Sequence, residues 1–225
     1  MKENGILFDL DGTLVFTLED IQKALNYAVS SYYENEKNFI SLDECRISVG
    51  HGLKNLVKTS LDLKGVFPKE SEVEVMYKML MEYYSLHPSD FSYAYPGVSE
   101  MLNFLKEKQF KIGVFSNKKD ELVRVILKKV FPGFEFDFIS GMGGLFKAKP
   151  DSEGVDYFRQ QNNLKKNECI YVGDSEVDYK TGQQAGVKTI IVSWGFRNEE
   201  DLRNAGINDS FIVDDIKKLI KRMVG

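Results

Sequence analysis

Short apolar runs alternate with longer stretches of helical periodicity along most of the chain. Four of these runs have the length and composition of buried strands: Gly5–Phe8, Ile112–Phe115, Cys169–Val172 and Thr189–Val192. A further strand is predicted around Phe136–Ile139, and a helix over Ser152–Gln161. Apolar strands separated by helices are typical of a parallel sheet that is covered on both faces. The pattern therefore predicts an α/β fold with a parallel sheet as its core.

Residues from about 16 to 89 follow a different pattern, in which apolar residues recur at spacings of three and four. Leu18, Ile21 and Leu25 begin the series, and it returns over Leu53–Leu63 and from Val73 to Tyr84. This spacing is that of amphipathic helices. We therefore expect an all-helical domain over 16–89, inserted into a sheet domain made of 1–15 and 90–225. The cationic end of the chain, Lys217–Arg222, is interpreted as the end of a helix.

Polar residues follow three of the apolar runs. Asp9 and Asp11 come after the first run, Ser116 and Asn117 after the second, and Asp174 after the third. The carboxyl ends of parallel strands form the crevice in which ligands bind. If these strands are neighbours, their polar ends converge on one site.

Composition and charge exclude several classes of function. The chain has 225 residues and a net charge of −4, so it lacks the excess of basic residues that non-specific nucleic-acid binding requires. No stretch approaches the ~20 apolar residues of a membrane span, and no signal segment is evident. A cytoplasmic protein with no membrane partner is therefore expected. Cys45 and Cys169 have no partner at metal-ligand spacing and are interpreted as reduced thiols.

The acidic residues suggest a metal site. Asp9 and Asp11 lie two residues apart on an extended segment, so both can address one atom. Asp174 and Asp178 would add two more carboxylates, and a pair at about 4 Å repels by ~4 kcal/mol at an effective dielectric constant near 20. Such a cluster needs a cation, and Mg²⁺ suits these oxygen ligands. The alternatives are an ordinary Asp-Gly turn, and a helix N-terminus capped by Asp174 or Ser175.

Two further motifs suggest phosphate binding. A hydroxyl and backbone amides at Ser116-Asn117-Lys118 could hold a phosphate at the crevice, although Ser or Asn at this place also commonly caps the next helix. Lys149 precedes Pro150, which makes the segment rigid. The alternative for Lys149 is a solvated surface lysine before a helix-starting proline.

The order of these motifs resembles the haloacid dehalogenase superfamily over essentially the whole chain. The motifs are Asp9-Leu10-Asp11-Gly12-Thr13, Ser116-Asn117, Lys149-Pro150 and Gly173-Asp174 with Asp178. The resemblance implies a Rossmann-like catalytic core with a helical cap, and phosphoryl transfer through an aspartyl-phosphate with Mg²⁺. Three less specific segments are similar to the phosphoglycolate phosphatase-like branch: Tyr95–Val98, Val49–Leu53, and Ala185–Val187 through to Trp194–Arg197.

The resemblance also implies roles for individual residues. Asp9 would be the nucleophile and Asp11 the general acid and base, while Ser116, Asn117 and Lys149 would bind phosphoryl oxygens. Mg²⁺ would be held by Asp9, the backbone carbonyl of Asp11 and Asp174, with Asp178 a direct or water-mediated ligand. The candidates for substrate contacts in the cap are Arg46, His51 and Lys54, although a lone loop histidine is more often solvated. Phe16 stands where this branch commonly has an acidic hinge residue.

The function expected from this resemblance is a Mg²⁺-dependent phosphatase that hydrolyses a small phosphorylated metabolite, with phosphoglycolate as the branch analogy. A phosphomutase of the β-phosphoglucomutase type would use the same motifs, as would a pyrophosphatase or nucleotidase. A non-catalytic binding module on this fold is the third possibility, since fold alone does not establish activity. A monomer or a homodimer is compatible with the sequence.

Overall fold

The computed structural model describes residues 4–34, 39–50 and 52–225. The chain divides into two compact units. The sheet unit consists of Met1–Phe16 and Ala94–Gly225, and the helical unit of Thr17–Tyr93.

The strands, in chain order, are β1 (Gly5–Phe8), β2 (Val15–Phe16), β3 (Tyr93–Ala94), β4 (Lys111–Lys119), β5 (Phe138–Met142), β6 (Cys169–Gly173), β7 (Lys188–Val192) and β8 (Ile212–Val213). The helices are α1 (Leu18–Tyr33), α2 (Leu42–Ser48), α3 (Leu53–Leu63), α4 (Glu70–Leu86), α5 (Val98–Glu107), α6 (Asp120–Val130), α7 (Glu153–Gln161), α8 (Glu176–Ala185), α9 (Glu199–Asn204) and α10 (Ile216–Val224). The strands and helices predicted from periodicity are present, and the helix predicted at the cationic end of the chain is α10.

Six parallel strands form the main sheet in the order β5-β4-β1-β6-β7-β8. Its central strand, β1, is completely buried because helices cover both faces. Ile6 and Phe8 point into one apolar cluster with side chains of α5, α6 and α10, whereas Leu7 points into another with side chains of α7 and α8. This two-sided burial explains why the run has no polar position, and it confirms the predicted α/β class.

The order of the strands brings the three polar strand ends together. β1 lies between β4 and β6 and pairs in parallel with both. The carboxyl ends of these strands therefore meet at one edge of the sheet, as predicted. β4 is longer than the predicted run, since it continues to Lys119 with a shift of register between Phe115 and Lys119.

The helical unit contains α1 to α4. Leu18, Ile21 and Leu25, which begin the predicted apolar series of α1, are buried. The sequence analysis missed α2, whose start is stabilised by reciprocal hydrogen bonds between Ser41 and Glu44. No helix within residues 4–34, 39–50 and 52–225 combines the length and apolar character needed to cross a membrane.

Two other sequence features have structural explanations. Phe16, at the position where the branch commonly has an acidic residue, packs edge-to-face on Tyr95 at 6.2 Å between ring centroids. A phenyl ring here gains aromatic packing that a carboxylate could not provide. Cys45 and Cys169 are buried free cysteines, as predicted.

Candidate active site

The site begins in the turn that follows β1. The Asp9 N–H donates to Val172 O in β6 at 2.8 Å, and Asp9 Oδ1 accepts the Leu10 N–H at 2.7 Å. The side chains of Leu10 and Leu14 are buried and hold the turn in place. Gly12 adopts a φ of 79°, a left-handed conformation that favours glycine. Together these interactions hold Asp9 at the carboxyl end of the central strand.

Asp9, Asp174 and Asp178 form an acidic cluster in which one carboxylate oxygen of each residue lies within 4.8 Å of the others, and all three residues are buried. Burial is the main cause that raises the pKa of Asp9 to about 7, and the Asp178 carboxylate adds to it. The pKa of Asp174 is also raised well above its usual value by burial, and then by the charges of Asp178 and Asp9. Carboxylate oxygens are hard ligands. Carboxyl groups as close together as these ionise readily only beside a positive charge. The donor set therefore fits a divalent cation such as Mg²⁺.

Lys149 supplies positive charge from within this group. Its Nζ lies 2.9 Å from Asp9 Oδ1 and 2.7 Å from Asp178 Oδ1, and the side chain is only 3% exposed. Burial alone would lower the pKa of Lys149, but the two carboxylates raise it above its usual value. The interpretation of Lys149 as a solvated surface lysine is therefore wrong.

Asn117 holds the backbone of Lys149. The Asn117 side-chain amide donates to Lys149 O at 3.1 Å, and its Oδ1 accepts the Lys149 N–H at 2.7 Å. The prediction that Ser116 or Asn117 caps the following helix is wrong, because β4 continues to Lys119 and α6 begins only at Asp120. Ser116 is buried at the same strand end, where its Oγ accepts the Lys118 N–H at 3.2 Å.

Lys118 belongs to the predicted phosphate-binding segment, but no role was predicted for its side chain. Its Nζ forms an ion pair with Asp11 Oδ1 at 2.7 Å, and its side chain is 3% exposed. Asp11 therefore pairs with a different lysine from the one that contacts Asp9. Asp11 also lies outside the acidic cluster. The only sequence signal was that Lys118 directly follows Ser116-Asn117 at the end of an apolar run.

Asp178 accepts four hydrogen bonds within the site. Lys149 Nζ and the Tyr171 hydroxyl, at 3.0 Å, donate to Oδ1. The Ser175 hydroxyl, at 2.6 Å, and the Asp174 N–H, at 3.3 Å, donate to Oδ2. Sequence analysis treated Tyr171 only as part of an apolar run, since one hydroxyl on a buried strand has no periodic signature.

The predicted helix cap and the predicted acidic cluster are both present at the start of α8. The Ser175 side chain accepts the Asp178 N–H as the N-cap of this helix. A carboxylate in the first helical turn also interacts favourably with the helix dipole. The helix N-terminus thus places Asp178 in the cluster, so the two interpretations of this motif describe one arrangement.

The predicted substrate contacts lie in the other unit. Within the helical unit, Lys54 pairs with Glu70 and Glu74 at 2.6 and 3.0 Å. Arg46 lies 3.9 Å from Asp43. His51 lies outside the described residues. The substrate-contact role of these three residues stays a prediction.

Comparison with known proteins identifies the family. Residues 6–192 match the haloacid dehalogenase-like hydrolases. The chain belongs to this family. The match includes every residue of the acidic cluster and both lysines, so the family assignment covers the site as well as the sheet. It confirms the resemblance inferred from the four motifs.

Several relatives are phosphatases by name. The chain is 31% identical to a phosphoglycolate phosphatase of Cereibacter sphaeroides over 98% of this chain and 99% of the relative. It is 28% identical to a phosphoglycolate phosphatase of Pseudomonas savastanoi over 96% of this chain and 78% of the relative.

Among solved structures, a Lactobacillus delbrueckii subsp. bulgaricus protein classed provisionally as a phosphoglycolate phosphatase superposes with a TM-score of 0.90 at 28% identity, over the full length of both chains. A predicted phosphatase of Clostridium acetobutylicum has a TM-score of 0.80 at 26% identity, over 100% of this chain and 99% of the other. This haloacid dehalogenase-like hydrolase is thus an enzyme whose relatives include phosphatases.

Proposed function

We propose that this hydrolase is a Mg²⁺-dependent phosphatase that uses Asp9 as its nucleophile and acts on a small phosphorylated metabolite. The observation that carries the proposal is the buried Asp9 carboxylate, held at a strand end between Lys149 and two further carboxylates. The names of the relatives make 2-phosphoglycolate the first substrate to test.

Asp9 and Asp174 would bind the cation directly, together with the backbone carbonyl of Asp11. The oxygens of Asp178 already accept four hydrogen bonds, which favours contact with the cation through water. When bound, the cation would offset the negative charge of the cluster and polarise a phosphoryl oxygen.

The reaction would have two steps. Asp9 attacks phosphorus, the bond to the leaving oxygen breaks, and Asp11 donates a proton to that oxygen. A water molecule then attacks the aspartyl-phosphate, Asp11 takes its proton, and the Asp9 carboxylate and inorganic phosphate are released. Asp11 and Asp9 have different lysine partners, since Lys118 pairs with Asp11 and Lys149 with Asp9.

The remaining residues would bind the phosphoryl group. Lys149 offsets the charge of the equatorial oxygens, and the Ser116 hydroxyl donates a hydrogen bond to one of them. Asn117 keeps the Lys149 backbone in place. The helical unit would act as the cap that excludes water during the first step, with Arg46, His51 and Lys54 as candidates for contact with the leaving group.

A phosphate-release screen tests the proposal. Purified protein is assayed with 2-phosphoglycolate, sugar phosphates, nucleotides and pyrophosphate, with Mg²⁺ and with EDTA. We expect release from at least one small phosphomonoester that EDTA abolishes and added Mg²⁺ restores. No phosphate release from any compound would contradict the proposal, and isomerisation of a hexose phosphate without release would assign a phosphomutase instead.

Asp11→Asn tests the acid role separately. We expect kcat/KM for 2-phosphoglycolate to fall by about 10² to 10⁴, because an alkoxide leaves poorly without a proton. For 4-nitrophenyl phosphate the fall should be less than about tenfold, since nitrophenolate leaves unprotonated and kcat/KM reports only the first irreversible step. An equal fall for both esters, measured under the same conditions, would show that Asp11 is not the general acid.

The raised pKa of Asp9 predicts a pH-dependent stability of the metal-free protein. An acid whose folded-state pKa lies above its unfolded value stabilises the fold at low pH, and this contribution is lost as the pH rises. Between the ordinary value of 3.8 and the value of about 7 for Asp9, the free energy of unfolding should fall by up to about 4 kcal/mol. About 3 kcal/mol of this fall lies above pH 5, so urea unfolding in EDTA at pH 5 and pH 8 measures most of it.

Asp9→Asn is the control for that measurement, because its side chain is neutral at both pH values. From pH 5 to pH 8, the unfolding free energy of the parent should fall relative to that of this variant. A constant difference would mean that Asp9 does not titrate in this range.

A further inference from the structure

The loop after β7 contacts two of the loops that build the site. In this loop, Ser193–Arg197, the Trp194 indole N–H donates to Thr13 O at 3.2 Å. The Phe196 backbone N–H donates to Asp174 Oδ2 at 2.7 Å. One short segment is thus hydrogen bonded both to the loop after β1 and to the carboxylate at the end of β6.

Gly195 lies between these two hydrogen bonds and has no room for a side chain. A Cβ atom there would lie 2.3 Å from Gly12 O and 2.4 Å from Asp174 Oδ2. Gly12 is equally close, since a Cβ there would lie 2.1 Å from the same oxygen. The Asp174 carboxylate therefore lies directly against two glycines, and one of its oxygens accepts a backbone N–H.

We propose that Trp194–Phe196 is a positioning segment that sets the orientation of the Asp174 carboxylate for metal binding. The inference rests on the metal role of Asp174 in the proposed function. Mg²⁺ demands nearly ideal octahedral geometry at short ligand distances, so a freely rotating carboxylate is a poor ligand. The Phe196 N–H fixes one carboxylate oxygen, and the glycines allow the backbone of both loops to approach it.

A purely structural role for this segment has a different consequence. If the segment only packs the sheet unit together, substitutions in it lower stability and leave the metal affinity of the folded protein unchanged. If it positions Asp174, metal affinity falls even where the fold is intact. Hydrogen-bonded partners of metal ligands typically change affinity by about 10- to 100-fold when they are altered. Metal affinity and stability must therefore be measured on the same variants.

The test uses the full-length, metal-free protein with Mn²⁺ as the probe, without substrate. Free Mn²⁺ is measured by electron paramagnetic resonance during titration, and circular dichroism with thermal unfolding in EDTA measures the fold. We expect Gly195→Ala to weaken Mn²⁺ binding by about tenfold or more. Gly144→Ala is the matched control, because a Cβ there would also meet a backbone oxygen, Gly141 O at 3.0 Å, but on an exposed loop. Its Mn²⁺ affinity should stay within about twofold of the parent.

Trp194→Phe provides a second test should Gly195→Ala not fold. It keeps an aromatic ring and removes the donor to Thr13 O, together with part of the apolar contact of the indole. We expect a smaller loss of Mn²⁺ affinity, about threefold to tenfold. A folded Gly195→Ala protein with parental affinity would overturn the inference, as would parental affinity in Trp194→Phe if Gly195→Ala does not fold.

The outcomes also separate this inference from the proposed function. A parent protein that binds no Mn²⁺ would overturn both the metal role of Asp174 and the positioning role of the segment. A parent that binds Mn²⁺ and releases phosphate, with variants of parental affinity, would overturn the positioning role alone.

Discussion

Asp9→Asn should abolish phosphate release, with kcat lowered by roughly four orders of magnitude or more. The substitution keeps the shape of the side chain, but an amide oxygen is a poor nucleophile and carries no charge toward Lys149, which contacts Asp9 Oδ1 at 2.9 Å. Steady-state phosphate release, with the substrate found in the screen and saturating Mg²⁺, measures this effect. Since Asn fits the buried site of a protonated Asp9, the thermal midpoint in EDTA should not fall substantially.

The matched control is Asp137→Asn, the same chemical change at a half-buried position of the sheet unit. Asp137 pairs with Lys106 and Lys111 and accepts the Ile112 N–H, away from the acidic cluster. Its kcat should stay within about threefold of the parent, as expected for a residue that touches no reacting group. An Asp9→Asn protein that keeps a tenth or more of parental activity would eliminate Asp9 as the nucleophile.

Lys149→Met should lower both activity and stability. Removing one partner of a buried ion pair leaves an uncompensated charge, which typically costs about 3 to 5 kcal/mol. Here one lysine contacts two buried carboxylates, Asp9 and Asp178. Methionine is of similar length, so the main loss is that of the charge. We also expect kcat/KM to fall by about 10³ or more, because the same ammonium group would bind the phosphoryl oxygens.

Lys147→Met is the control for this substitution. Lys147 is 77% exposed and lies 3.9 Å from Asp151, so its removal should change the unfolding free energy by less than about 0.5 kcal/mol. Urea unfolding in EDTA at pH 8 and pH 5 distinguishes the mechanism, since protonation of the stranded carboxylates should reduce the cost of Lys149→Met at the lower pH. A cost that is independent of pH would indicate lost packing in place of an uncompensated charge.

Much of the secondary structure of the sheet unit was predictable because its signals are local, although β8 and α9 were not predicted. An uninterrupted apolar run such as Gly5–Phe8 is compatible only with burial on both faces, and polar residues directly after it mark the strand end. The amphipathic spacing in α1, α3 and α4 was equally readable. The short helix α2 was missed because seven residues carry too little periodicity, although its capping residues Ser41 and Glu44 were a usable signal.

The sequence by itself determined that carboxylates and a hydroxyl stand at the ends of apolar strands, and the order of these motifs with Lys149-Pro150 was sufficient to indicate the family. Only the tertiary structure decided which lysine pairs with which carboxylate: Lys118 with Asp11, and Lys149 with Asp9 and Asp178. It likewise assigned the Asn117 amide to the Lys149 backbone and the Phe196 N–H to Asp174. These pairings join segments far apart in the chain, and they depend on ångström distances set by strand order and loop packing, for which local sequence carries no periodic signal.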